Sequence, residues 1–505
     1  MRRGVLAGLA IAIGCLTGRG YECEGDEQCL ESADGVCTAD DWCAYPSDEC
    51  DSGLEYGPHS PPSVAGDCVP PPEDDGVADG ATTMAGTGGS GGEETGGSGD
   101  TGEPEPIDTC GDGVVDPGED CDDGNREPGD TCHPLCVDPG SPSWTATYDG
   151  EAHSEDRGYA VTVDASANAV YVTGFTTVDD DYDILVQRWR LDTGTLVWTQ
   201  SIDGGGAADT DQGEHIALDP QGNLVVVGMI TKNDQTTDAW LAKLTPSGDT
   251  LWQVTYDGGM DDKGQGVDVL ADGSIVVVGF SEQADYTPIW VQRYQANGMA
   301  LGDPILHGDM GFSEGIDVVT RGMQYQLTGR RADPTDTEVV WTGRYQADGT
   351  PVWEHGFSIG DNGNFPRGVG QDFDPDGGSA IGGVVGNDLL VLRYDAAGTP
   401  ADPLIINGPE SAHDEAADIN FSADGSYVVV GFLDFRTEGF ARSDSWVRRY
   451  DANGEELWTD RFDGAAKEID KALGSEITEG DSVVVVGYET VPGQARDVWL
   501  RRYAL

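Results

Sequence analysis

One candidate group of metal ligands in this sequence is a run of carboxylates within residues 108–138. Hard cations such as Ca²⁺ bind several carboxylate and carbonyl oxygens. The spacing of these acids does not match an EF-hand loop, and Asp-Gly dipeptides in the same segment are also typical of turns. Two interpretations stay open, a calcium site and a series of acidic turns without a metal. The candidate ligands are Asp112, Asp116, Glu119, Asp120, Asp122 and Asp123.

A second candidate site combines arginine and phenylalanine side chains in the C-terminal part of the chain. The segment 433–442 is longer than its counterparts in neighbouring repeats and carries basic and aromatic residues together. We expect these residues to form a ligand patch on one rim of the fold, the alternative being that the loop varies in length without function. The residues of this predicted patch are Arg330, Arg331, Phe435, Arg436, Phe440 and Arg442.

Residues 143–505 contain no recognisable catalytic constellation. The five histidines there form no HExxH motif, and the sequence has no GxSxG elbow and no P-loop. Cysteine is absent after Cys136, which excludes thiol catalysis in this region. Carboxylates are so abundant that a pair of them does not indicate glycosidase chemistry. These observations favour a protein that is not an enzyme.

The cysteines indicate an oxidising compartment. Eleven are present, and removal of Cys15 leaves one group of six and one of four, as disulfides require. The sequence does not choose among the pairings, and zinc binding is disfavoured because the group of six lacks CxxC pairs. The ten predicted disulfide cysteines are Cys23, Cys29, Cys37, Cys43, Cys50, Cys68, Cys110, Cys121, Cys132 and Cys136.

The N-terminus has the pattern of an export signal. Two arginines precede an apolar stretch that is too short to span a bilayer. The residues Ala12-Ile13-Gly14-Cys15 resemble a bacterial lipobox. This resemblance implies a lipoprotein signal peptide over residues 1–15 and lipidation of Cys15. The alternative is an ordinary cleaved signal peptide that includes Cys15.

The net charge of −66, from 27 basic and 93 acidic residues, excludes some partners. A field of this sign repels nucleic acid and anionic lipid headgroups. We therefore expect no nucleic-acid partner, and membrane association only through the N-terminal lipid anchor.

Three segments precede the repeats. Residues 21–69 have little aliphatic core and predict a small disulfide-rich module. Residues 70–107 are rich in Gly, Ser, Pro and acidic residues and predict a disordered linker, which would act as a stalk. Residues 108–138, with CGDG, GEDCDDGN and a closing cysteine pair, resemble a cysteine-rich repeat of myxobacterial surface proteins.

Residues 143–505 repeat with a period of about fifty residues, which is typical of propellers and solenoids. Each repeat has a valine-rich or apolar strand that ends in glycine, and continuous apolar strands indicate a sheet covered on both faces. The glycines that end these strands are Gly174, Gly228, Gly279, Gly329, Gly383, Gly431 and Gly487.

The ends of the repeat region predict a closed ring. The chain ends at Leu505 after a third strand, whereas 143–150 form a fourth strand with no partner before it. The first strand should therefore complete the last blade, which leaves no open sheet edge. We predict an all-β, seven-bladed propeller of four-stranded blades. The pattern resembles the bacterial beta-propeller repeat family.

Each third strand has a basic residue at one equivalent position, which predicts a structural role. We expect each to stack on an aromatic ring or to pair with a nearby aspartate. The residues are Arg188, Lys243, Arg293, Arg344, Arg393, Arg449 and Arg502.

Taken together, these features predict an exported, lipid-anchored protein of a myxobacterial cell surface, or a secreted one. We expect a non-catalytic binding, adhesion or scaffolding protein on a flexible stalk, whose partner is a surface protein, a peptide or a carbohydrate. The alternative is an extracellular propeller enzyme, namely a glycan hydrolase, a lyase or a quinoprotein-like oxidoreductase. Only analogy with other proteins of the same fold supports that alternative.

Overall fold

The computed structural model describes residues 36–37, 43–46, 54–56, 137–150, 152–179, 181–205, 210–308, 310–332, 337–359, 366–406, 413–437, 440–478 and 482–505. The chain divides into two compact units, Met1–Gly102 and Glu103–Leu505. In the first unit, an antiparallel sheet is formed by β1 (Val36–Cys37), β2 (Cys43–Pro46) and β3 (Leu54–Tyr56). The backbones of Cys37 and Cys43 pair in this sheet. The other predicted disulfide cysteines, Cys15 and the candidate calcium ligands lie outside the described residues.

The second unit contains seven antiparallel sheets of four strands each, as the repeats predict. In chain order the strands are β4 (Pro142–Tyr148), β5 (Arg157–Asp164), β6 (Ala169–Val178), β7 (Asp181–Arg190), β8 (Leu196–Ile202), β9 (Gln212–Leu218), β10 (Leu224–Thr231), β11 (Thr237–Leu244), β12 (Thr250–Tyr256), β13 (Asp262–Val269), β14 (Ile275–Ser281), β15 (Ile289–Tyr294), β16 (Ile305–His307), β17 (Glu314–Arg321), β18 (Gln324–Ala332), β19 (Glu338–Gln346), β20 (Pro351–Phe357), β21 (Arg367–Phe373), β22 (Ser379–Val385), β23 (Asp388–Tyr394), β24 (Leu404–Ile406), β25 (Asp414–Phe421), β26 (Tyr427–Thr437), β27 (Phe440–Tyr450), β28 (Glu456–Phe462), β29 (Lys471–Ile477), β30 (Ser482–Thr490) and β31 (Arg496–Ala504).

The predicted closure of the ring is confirmed. β4 pairs with β31 and completes the sheet of β29, β30 and β31, with Thr147 opposite Trp499. The first strands of adjacent sheets contact each other all the way around, from β5 through β29 and back to β5. The propeller also begins earlier than predicted, because β4 starts at Pro142 and the Gly140 amide donates to the Ala504 carbonyl at 2.9 Å.

The hydrophobic core lies between the sheets. Seven apolar clusters each join two neighbouring sheets. The valine strands are covered on both faces, since Val225, Val226 and Val227 are all 0% exposed. This burial is what an apolar strand without alternation predicts.

The glycine that follows each valine run is required by a close approach of the backbone. A Cβ at Gly174 would lie 1.8 Å from the carbonyl oxygen of Arg157, and one at Gly228 would lie 1.9 Å from that of Gln212. Both glycines face a β-bulge in the first strand, where the two backbones come together.

Fourth-strand tryptophans connect neighbouring sheets. Trp252 packs on the turn at Gly298 (φ +84°) in the next sheet, and its Nε1 donates to the carbonyl of Ala296 at 3.1 Å. Trp144 makes the same contact with Gly194 across the ring closure. The two fourth strands without tryptophan, β16 and β24, are only three residues long.

The third-strand basic residues have structural partners, although not always the expected ones. Lys243 is 4% exposed and pairs with the buried Asp219. Arg344 lies 4.6 Å from the ring centroid of Phe373, and Arg393 lies 5.3 Å from that of Tyr427. These residues match the prediction of aromatic or aspartate partners, as does Arg188 at 6.0 Å from the Tyr171 ring. Serine hydroxyls are instead the hydrogen-bond acceptors for Arg293, Arg449 and Arg502.

Among the described residues, no helix combines the length and the apolar character that crossing a membrane requires.

Candidate functional site

The first strands of all seven sheets surround a central channel with a cavity of about 640 Å³. Its lining includes acidic residues from six consecutive sheets, and one of these sheets also contributes a histidine. The channel residues with ionisable side chains considered below are His215, Asp268, Asp317, Asp372, Asp418 and Glu476.

The channel acids occupy two alternating levels. Asp317 and Asp418 lie two residues after the glycine or alanine at the first-strand bulge, whereas Asp268, Asp372 and Glu476 lie four residues after it. The levels alternate from one sheet to the next, which separates neighbouring charges along the channel axis. None of these residues was singled out from the sequence. Alignment of the first strands would have found them, because each lies at one of two fixed distances from the bulge.

At the first level, aspartates connect adjacent sheets through backbone amides. Asp317 accepts the amide of Val318 at 2.7 Å and, from the next sheet, the amide of Gln371 at 3.0 Å. Asp418 accepts the amide of Ile419 at 2.8 Å and, from the next sheet, the amide of Ser475 at 2.8 Å. Each carboxylate therefore uses both oxygens to join two blades.

The second level repeats this arrangement. Asp268 accepts the amides of Val269 and Thr320, both at 2.7 Å. Asp372 accepts the amide of Phe373 at 2.6 Å and that of Phe421 at 2.9 Å. A hydrogen bond within a folded protein contributes about 0.5–1.5 kcal/mol, and more where the acceptor is charged. The aspartates of the channel therefore stabilise the ring.

Enclosure between the sheets raises the pKa of these carboxyl groups. Burial raises the pKa of Asp317, Asp372 and Asp418 to about 7, and the amide hydrogen bonds partly oppose this effect. The pKa of Asp268 is raised for the same reason.

Glu476 and His215 differ from the channel aspartates. Burial, followed by repulsion from Asp372, raises the pKa of Glu476 to about 8, so this side chain carries a proton at neutral pH. Burial lowers the pKa of His215, which favours the neutral imidazole. His215 Nε2 lies 3.7 Å from Asp317 Oδ1, too far for a hydrogen bond.

The predicted arginine and phenylalanine patch is divided between two sheets. Arg330 pairs with Glu314 at 2.9 Å and lies 4.3 Å from the centroid of the Phe312 ring. Arg331 lies 3.7 Å from Glu354. These acidic partners neutralise both arginines within the sheet β17–β20.

The second part of the patch belongs to a hairpin. Segment 433–442 was predicted to be a loop, but its residues 433–437 belong to β26 and its residues 440–442 belong to β27, with Phe435 opposite Arg442 and Arg436 opposite Ala441. Arg442 pairs with Asp463 and lies 3.5 Å from Asp444. The side chains of Phe435, Arg436 and Phe440 lie outside the described part of the structure.

The comparisons with known proteins find similar folds of varied function. No family model matches the sequence, and no curated protein matches it. Drosophila Plexin A, solved in complex with Semaphorin 1b, is 10% identical, with a TM-score of 0.42 over 72% of this chain and 88% of that chain.

Two further solved structures are similar at the same level. Sqt1 from Chaetomium thermophilum, bound to the N-terminus of the ribosomal protein L10, is 15% identical, with a TM-score of 0.42 over 71% of this chain and 98% of that chain. Polysaccharide lyase Uly1 is 10% identical, with a TM-score of 0.42 over 69% of this chain and 90% of that chain. No activity is transferred from these proteins.

Proposed function

We propose that this chain is an exported, lipid-anchored surface protein whose propeller binds a partner without catalysis. The observation that carries the proposal is the hydrogen bonding of the channel aspartates. Each of the four joins two sheets through amides, so its oxygens are committed to the ring and are poorly placed to act on a substrate. A channel built in this way supports a rigid scaffold that presents its rim loops.

The hairpin β26–β27 supports a binding role for the rim. β26 continues to Thr437, six residues beyond Gly431, whereas the equivalent strands end two to four residues beyond their glycine. Among the described second and third strands, β26 and β27 are the longest, and they carry Phe435, Arg436 and Phe440. Aromatic and arginine side chains are the residues that most often dominate protein interfaces.

The sequence supports the rest of this proposal. The lipobox resemblance of Cys15 and the acidic linker favour display of the propeller at the cell surface. The resemblance of residues 108–138 to a myxobacterial cysteine-rich repeat favours a cell-envelope location. We propose a surface protein, a peptide or a carbohydrate as the partner.

A binding screen tests this proposal. The full chain is screened against glycan arrays and cell-envelope proteins, with and without Ca²⁺, and each hit is repeated with Phe435→Ala and Arg436→Ala. We expect saturable binding that either substitution weakens by at least about tenfold, without a change in thermal unfolding. The matched control is Asn233→Ala, an exposed residue between β10 and β11. Equal binding by all variants would show that the hairpin β26–β27 does not contribute to binding of the partner.

One observation favours the alternative of a propeller enzyme. His215 and Asp317 lie close together in the channel, and the protonated Glu476 could serve as a general acid there. A hydrolase or lyase that used this group would lose turnover in the Glu476→Gln variant. Retention of binding in that variant, with no turnover by the wild-type chain, supports the non-catalytic proposal.

A further inference from the structure

Groups of three aspartates recur where the chain passes from one sheet to the next. One member directly follows a fourth strand. A second directly precedes the next first strand or is its first residue. The third belongs to a third strand, two residues before the tryptophan or leucine at the equivalent position of each repeat. The four groups are Asp183, Asp203 and Asp211; Asp238, Asp257 and Asp262; Asp444, Asp463 and Asp470; and Asp149, Asp156 and Asp497.

In the second group the chain supplies its own cation. The Lys232 ammonium lies 2.8 Å from Asp238 Oδ1 and 3.0 Å from Asp257 Oδ2. One ligand oxygen from each of the three aspartates lies within 4.8 Å of the others. Lys232 therefore offsets the charge of a carboxylate cluster with the dimensions of a metal site.

Two other groups also have internal partners. Asp444 accepts a hydrogen bond from Arg461 Nε at 2.6 Å and lies 3.5 Å from Arg442. The hydroxyl group of Ser201 donates to Asp183. In each case a donor or a cation of the chain contacts the third-strand aspartate, although Asp444 Oδ1 accepts no hydrogen bond from the described residues and has only the Arg442 side chain near it among them.

Asp497 differs from its counterparts. It is 5% exposed, and its Oδ1 is buried and accepts no hydrogen bond from the described part of the chain. The three aspartates of this group are as close together as those around Lys232. One oxygen each from Asp149, Asp156 and Asp497 lies within 4.8 Å of the other two. On the solvent side, the exposed His153 lies 2.7 Å from Asp149 Oδ2. A buried carboxylate without a partner is costly, so either a proton or a bound cation must offset the charge of Asp497.

The sequence explains why this group has no lysine. Lys232 begins the turn between β10 and β11, in which its amide donates to the Thr236 carbonyl and its carbonyl accepts from Gln235. Val491 occupies the same place in the turn between β30 and β31. Its amide donates to the Ala495 carbonyl, and its carbonyl accepts from the Gln494 amide. Valine cannot supply a cation. An ion from solution can therefore take the place that the Lys232 ammonium has in the second group.

We propose that Asp149, Asp156 and Asp497 bind a hard divalent cation, with Ca²⁺ as the expected ion. Three carboxylates supply oxygen ligands only, which suits Ca²⁺ better than the softer transition metals. Asp149 follows β4, Asp156 precedes β5, and Asp497 belongs to β31. The ion joins these three strands at the point where the ring closes.

Calorimetric titration of the full, chelator-treated chain with Ca²⁺ tests the site. We expect Asp497→Asn to remove one bound equivalent or to weaken it by about tenfold or more. Val491→Lys places an ammonium in the position equivalent to that of Lys232. We expect this variant to lose the same equivalent of bound Ca²⁺. Lys232→Ala opens the second group, and we expect it to add one equivalent.

The controls separate this site from any other calcium site in the chain. Asp238→Asn should leave the Ca²⁺ equivalent at Asp497 unchanged, and His153→Ala should retain it. Any binding by residues 112–123 contributes equally to all variants and cancels in the comparison. Identical titrations of the wild-type chain, Asp497→Asn and Val491→Lys would overturn the proposal.

Discussion

Replacement of Glu476 by glutamine should make the propeller more stable in alkaline solution. Glu476 faces the central channel, where burial and the charges of Asp372 and Asp418 raise its pKa to about 8. Glutamine has nearly the shape of the protonated side chain and cannot ionise. The substitution therefore removes the cost of ionisation and changes little else.

The magnitude follows from linkage between protonation and folding. The folded-state pKa is raised from 4.5 to about 8, so the folded chain binds this proton more tightly than the unfolded chain does. Wild-type stability consequently falls as the pH rises from about 4.5 to about 8. The full difference corresponds to about 5 kcal/mol. For roughly 360 residues, this is about 6 °C in melting temperature.

Urea unfolding followed by tryptophan fluorescence at pH 5, 7 and 9 measures this effect. We expect the variant and the wild-type chain to agree within about 1 kcal/mol at pH 5, and the variant to be the more stable by several kcal/mol at pH 9. Glu468→Gln is the matched control, because Glu468 is exposed. A Glu476→Gln variant that is equally destabilised at every pH would refute the reasoning, since it would indicate a charged and paired Glu476.

Three further predictions concern the contacts between and within sheets. Gly298→Ala should lower the free energy of unfolding by about 2 kcal/mol more than Gly302→Ala, because both residues have positive φ and only Gly298 contacts Trp252. Lys243→Met should cost about 3–5 kcal/mol in urea unfolding, because it leaves the buried Asp219 without its cation, although the donors of Gln221 and Asn223 remain. A chain that begins at residue 137 should unfold cooperatively, whereas one that begins at residue 150 loses β4 and should not.

Each of these predictions has a contradicting result. Equal losses for the two glycine variants would show that the tryptophan contact contributes nothing. An unchanged melting temperature for Lys243→Met would show that Lys243 does not contribute to stability. Cooperative unfolding of the chain without β4 would mean that ring closure is not required for stability.

The sequence predicted the fold well because the architecture is repeated seven times. Valine runs that end in glycine indicated strands buried on both faces, and the unpaired strand before Asp149 indicated closure of the last blade. Local errors arose where the repeat is broken. Segment 433–442 was predicted to be a loop, because its length differs from that of its counterparts, but residues 433–437 and 440–442 belong to the paired strands β26 and β27.

The channel could not be recognised in the same way. With 93 acidic residues in the chain, Asp317 or Asp418 has no distinguishing local sequence. Their roles depend on amides of the next sheet, about fifty residues away, and such contacts are visible only once the blades are assembled. The unpartnered state of Asp497 likewise depends on Val491, a residue without chemistry of its own.

The central claim is that the propeller binds a partner, whereas its channel residues hold the blades together and do not catalyse a reaction. The most direct test incubates the bound glycan, peptide or protein from the screen with the full chain and with Glu476→Gln, and follows the mass of the ligand. The account predicts an unaltered ligand in both reactions and equal binding. Conversion of the ligand by the wild-type chain, and its loss in Glu476→Gln, would contradict the account.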